Sequence, residues 1–100
     1  MNEIKIKFNE QEFLIKQTFR SLMLFEEMTS RSANEMKETT NDLLTLFYCI
    51  LKACNKETFI YSFDEFIDLL DNNQKSLANF SDYLQSEAKD LPKKKALKKV

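Results

Sequence analysis

The chain has 100 residues, 43% of them apolar and 31% charged, with no Gly, one Pro, no Trp and no His. It is too apolar for intrinsic disorder, short enough for one domain, and poor in the turn residues of an all-β fold, so a mostly α-helical α+β domain is expected. The formal charge is -1, but Lys93, Lys94, Lys95, Lys98 and Lys99 hold five of the fifteen basic residues; residues 1 to 92 carry a net of -6, and no specific nucleic-acid binding is expected of so acidic a body.

The N-terminus "EIKIKFNEQEFLIKQ" alternates Ile4, Ile6 and Phe8 with Lys5 and Lys7, then resumes with Phe13 and Ile15 after a polar break. This predicts a β-hairpin over about residues 3–16 with one apolar face, turned at Asn9, which tolerates left-handed backbone. Nothing here resembles a secretion signal and no stretch is long enough to span a membrane, so the expected location is a reducing cytoplasm.

In "TFRSLMLFEEMTSRS", Thr18 is placed to cap a helix over about 19–29. Phe19, Leu22 and Met23 follow one face and are expected to pack against the hairpin and a later helix. Leu24, Phe25 and Met28 are then a surplus, expected to be more exposed than Phe19 and Leu22 and to serve self-association or a partner helix. Ser32 and Glu35 have capping-box spacing, which predicts a short helix over 33–38.

The segment "TTNDLLTLFYCILKACNK" sets Leu43, Leu46, Phe47, Ile50, Leu51 and Cys54 at three- and four-residue steps, predicting a central buried helix over about 42–55. Cys49 and Cys54 lie five residues apart on it, roughly 140° around the axis, so a mutual disulfide is not expected. In "TFIYSF", Phe59 and Tyr61 are candidate interface anchors; the competing assignment makes Phe59 a core plug and Tyr61 a hydrophobic staple before the next helix.

Ser62 and Glu65 form a second capping-box pair, opening a helix over 63–71 with Phe63, Phe66, Ile67 and Leu70 inward. A last helix over 74–91 offers Leu77, Phe80, Leu84 and Ala88, with Tyr83 beside them, and ends before Pro92. The architecture is therefore an N-terminal β-hairpin followed by about four helices in one domain (1–91), with a basic C-terminal tail (92–100) expected to stay disordered. At this size the gain from burial and the cost of chain ordering nearly cancel, which leaves room for self-association.

Chemistry is sparse. Without His, catalysis falls to carboxylates or thiols, and without Gly no phosphate-cradling loop can form. Asp64, Asp68 and Asp71 share a helix face and could approach a hard cation, but apolar residues opposite them assign that face to solvent. The stretch from Asp71 to Asp82 has the outline of a calcium loop, yet Ser76 stands where Gly is needed and Asp82 where a bidentate Glu is usual. Cys49 and Cys54 sit in apolar surroundings that favour packing over reactivity. No catalytic residue, metal or cofactor is expected, and the chain reads as a non-enzymatic protein.

Together the hairpin, "TFRSLMLFEEMTSRS", "NDLLTLFYCILKACN" and "YSFDEFIDLLD" resemble the small tail assembly chaperones of long-tailed bacteriophages and prophages, over roughly residues 4 to 72. The chain departs from that pattern at Ser30 and in the hairpin turn, where the family has Gly. The resemblance implies a protein that binds the long, helical tape-measure protein, keeps it soluble while tail-tube subunits assemble, and acts in the bacterial host cytoplasm. It also implies that the lysine codons near the end could mark a ribosomal slip site, making this the shorter of two forms. Leu24, Phe25, Met28, Phe59 and Tyr61 are the candidate partner-binding residues. The competing reading is a small prophage-encoded regulatory module that binds a host protein.

Overall fold

Residues 3–37 and 39–89 are described by the computed structural model. They form, in chain order, β1 (Ile4–Phe8), β2 (Gln11–Ile15), α1 (Phe19–Thr29), a single 3-10 turn (Ala33–Glu35), α2 (Thr40–Cys54), α3 (Phe63–Asp71) and α4 (Gln74–Lys89). The expected hairpin-plus-helices architecture is thus observed. The lysine-rich tail and the helix end before Pro92 lie outside the described residues.

β1 and β2 pair antiparallel, with Phe8 opposite Gln11 and Ile4 opposite Ile15. Only two residues turn the chain, and Asn9 takes the left-handed conformation there, φ 58°. Alternation then sends Ile6, Phe8, Phe13 and Ile15 into the core while Lys5, Lys7 and Glu12 face solvent. β2 lies on α2, β1 runs beside α4, α1 packs along α2, and α3 packs on α4.

The core between these elements is largely aromatic. Phe47 of α2 stacks flat on Phe80 of α4, with centroids 4.1 Å apart and planes at 2°, and meets Phe66 of α3 edge-on at 5.3 Å. Phe13 meets Phe59 edge-on at 5.3 Å, and Phe8 bridges hairpin to helices through Phe47 at 5.8 Å. Offset and edge-to-face pairs of this kind add about 0.5–1.5 kcal/mol each beyond the area they bury. Both strands, the segment at Phe59, and helices α2, α3 and α4 are thereby tied to one cluster.

Polar side chains cap part of each edge of the two-stranded hairpin. On β2, Asn55 accepts from the Leu14 N–H (2.9 Å) and donates to the Leu14 carbonyl (2.8 Å), occupying the place of a third strand. Beyond it the Cys54 thiol donates to the Lys16 carbonyl (3.1 Å), and the Gln17 N–H donates to the Tyr83 hydroxyl (3.0 Å). On β1, the Ser76 hydroxyl donates to the Lys7 carbonyl and Asn73 accepts from the Asn9 N–H (2.9 Å). Such plugging blunts the edges that otherwise invite strand addition.

All three predicted caps form. Thr18 accepts from the Ser21 N–H, while Ser21 returns the contact to the Thr18 N–H, and the Ser32–Glu35 and Ser62–Glu65 pairs make reciprocal capping boxes. Two boundaries differ from expectation. The helix expected over 33–38 is one 3-10 turn, because Met36 is already extended (φ -61°, ψ 133°) and the chain is drawn to α2 by Asp42. That carboxylate accepts from the Lys37 N–H (2.8 Å) and pairs with Arg31. α2 itself begins at Thr40, capped by Thr39, and stops at Cys54 because Asn55 leaves helical backbone to cap it and reach β2.

Candidate functional site

α1 is apolar around most of its circumference, so its cap decides which residues are buried. Thr18 fixes the first turn, and Ser21 and Phe25, four residues apart, then face inward and are fully buried. The Ser21 hydroxyl tolerates burial because it donates to the Thr18 carbonyl at 2.6 Å. This turns the helix by roughly a third of a turn from the face expected on hydrophobicity alone. Phe19 is 83% exposed and Met23 51% exposed, one turn apart on the outward side.

The division expected within α1 is therefore reversed at Phe19, Met23 and Phe25, while Met28 is exposed as expected. Phe25, expected on the partner face, is a core residue at 0% exposure; Phe19 and Met23, expected in the core, are in solvent. Leu22 and Leu24 are both half-buried, flanking the outward face from opposite sides. Met28 is 45% exposed, but its sulfur lies 3.6 Å from the Cys49 thiol, so it is partly engaged with α2.

The second group of candidates also separates. Phe59 is buried against Phe13, Tyr48 and Phe66, so it is the core plug and not an exposed anchor. Tyr61 is half-buried with its ring edge-on to Phe59 at 5.3 Å, and its carbonyl accepts from the Tyr48 hydroxyl at 2.8 Å. Between them Ile60 is 75% exposed, a residue sequence reasoning passed over. Extended backbone alternates side-chain direction, so an inward Phe59 sends its neighbour outward.

Charge around the outward face of α1 is uneven. Glu26 is occupied, accepting from the Ala33 N–H at 2.9 Å. Arg20 and Glu27 are exposed and make no ion pair among the described residues. Arg31 is held away by Asp42; the hydrogen bond between them and the Lys37 N–H keep the Asp42 carboxyl below its usual range.

Among the described residues the two thiols and the α3 carboxylates lie apart from one another. Burial pushes the Cys49 thiol up to about 12, with nearby Glu27 adding to the shift, so it is protonated at neutral pH. Burial also raises the Cys54 thiol, which donates to the Lys16 carbonyl. The two thiols diverge to different partners, and both are free. Asp64, Asp68 and Asp71 are exposed along α3, and no group of three acidic or thiol side chains among the described residues is placed to hold a metal. Among the described residues no helix is long and apolar enough to cross a membrane. No family model, curated protein or solved structure matches the chain.

Proposed function

We propose that this chain is a non-enzymatic tail assembly chaperone of the long-tailed phage type, which binds the helical tape-measure protein in the bacterial host cytoplasm and holds it soluble during tail-tube assembly. The observation that carries the reading is the outward face of α1. Phe19 and Met23 stay in solvent on a helix whose inward face is already filled by Ser21 and Phe25. A holding protein needs apolar side chains offered to an amphipathic helix, and Met beside an aromatic ring adapts to varied partners.

Two backbone positions support the resemblance on which this rests. Ser30, which stands where the family pattern has Gly, and Asn9, in the hairpin turn that lacks the family's Gly, both have φ 58°, the left-handed conformation that Gly adopts most readily. The departures are thus in side chain and leave the backbone path that Gly would favour.

The test is co-expression with the long reading frame expected next to this gene. The partner should become soluble and co-purify with the chain, and Phe19→Ser combined with Met23→Lys should abolish both effects without unfolding the domain. A partner no more soluble with the chain than without it would overturn the proposal, as would a tight one-to-one complex with a host protein.

A further inference from the structure

The outward face of α1 is self-complementary as well as apolar. Arg20 and Glu27 are seven residues apart, which on an α-helix places them within about 20° of each other and roughly 10 Å apart along the axis. Met23 lies near the midpoint between them. Both charges are exposed and make no ion pair among the described residues, whereas Glu26, the other acid on this side, is already engaged by the Ala33 N–H.

We infer that in the free protein a second copy of this chain covers the face, through an antiparallel, two-fold α1–α1 contact centred beside Met23. A two-fold axis there returns each helix reversed, so the Arg20 end of one copy meets the Glu27 end of the other on the same side of the seam. Arg20 pairs with the partner's Glu27, and the symmetry repeats the pair at the far end. Met23 meets the partner's Met23 at the centre, and Phe19 flanks them from each end. Reversed helices also set opposite dipole ends side by side, which favours this orientation over a parallel one.

The contact is small. α1 has eleven residues, three turns, and two such helices bury less than the roughly 1,000 Å² of a stable complex, so the expected dissociation constant lies between about 10 µM and 1 mM. The dimer is weak enough for a client helix to displace. The inference uses the same face as the proposed function, but its test needs only the purified chain and is independent of co-expression.

The experiment is sedimentation velocity of the full chain and its variants across that concentration range, with circular dichroism as a check of folding. The wild-type chain should shift from monomer to dimer. Arg20→Glu and Glu27→Arg should each weaken the dimer by roughly tenfold, since every dimer holds two such pairs and each reversal turns attraction into repulsion. An equimolar mixture of the two single variants should recover wild-type association, because the heterodimer restores opposite charges at both ends. Met23→Lys should abolish association. A monomer throughout the range, association unaffected by Met23→Lys, or a mixture no better than the separate variants would overturn the inference.

Discussion

Replacing Asn55 by Ala removes the side chain that stands in for a third strand beside β2. Two contacts go at once: the acceptor of the Leu14 N–H at 2.9 Å and the donor to the Leu14 carbonyl at 2.8 Å. A third, to the Leu51 carbonyl at 3.0 Å, goes with them and frays the end of α2. An orphaned backbone group costs about 1–3 kcal/mol when buried, and Leu14 is half-buried, so water compensates in part. The low end of that range for the two Leu14 groups, plus a few tenths for the lost cap, gives roughly 2–2.5 kcal/mol. That is a large share of the 5–15 kcal/mol typical of a domain, and it lowers the melting temperature by about 8–20 °C. Urea unfolding gives the free energy, and amide hydrogen exchange at Leu14 gives its location. Asn55→Asp is the control: it keeps an acceptor for the Leu14 N–H but sets an oxygen against the Leu14 carbonyl, so it should be no better than Ala. A loss below about 0.5 kcal/mol, or unchanged exchange at Leu14, would refute the view that Asn55 holds the hairpin to the helices.

The reversal at Phe19 and Phe25 of α1 predicts that Phe25→Ala lowers stability by about 3–5 kcal/mol in chemical denaturation, while Phe19→Ala at monomeric concentrations changes it by less than about 0.5. Ser30 caps α1 in left-handed backbone without a glycine, so Ser30→Gly should add about 0.5–1 kcal/mol. Asn9→Gly should add less, because it removes the Asn9 contact with the Asn73 amide. For Asp42, whose folded carboxyl is held below its ordinary range by Arg31 and the Lys37 N–H, the ionised form contributes stability above the unfolded value near pH 4, and that contribution disappears as pH falls through the lowered folded value. Asp42→Asn should therefore flatten the acid limb of stability against pH below about pH 4; an unchanged limb would remove Asp42 from the account.

How much of this was legible depended on whether the determinant was local. The caps at Thr18, Ser32 and Ser62 are encoded within four residues and all form. The central helix announced itself through Leu46, Phe47, Ile50 and Leu51, and all four are buried. The phase of α1 was not legible from hydrophobicity, because apolar residues at 19, 22, 23, 24, 25 and 28 fit several faces and the buried stripe includes Ser21. The reciprocal spacing of Thr18 and Ser21 was the available clue, since a hydroxyl satisfied within its own turn can be buried at little cost. Asn55 carried no clue at all. Its partner Leu14 is 41 residues away, and only the tertiary fold brings the two together.

The same contacts narrow how this chain can recognise another. A strand adding to β2 must first displace the Asn55 fork and the contacts at Lys16 and Gln17, and one adding to β1 must displace Ser76 and Asn73. Each displacement orphans groups that cost about 1 kcal/mol or more, against a new strand bond of similar net value. Strand addition therefore gains little at either edge. Phe19 and Met23 are already in solvent, so covering them breaks no existing contact and gains the transfer free energy of both side chains, on the order of 2–4 kcal/mol for their exposed fractions. That asymmetry favours the exposed face of α1 over either strand edge as the surface that the proposed second copy or client would cover.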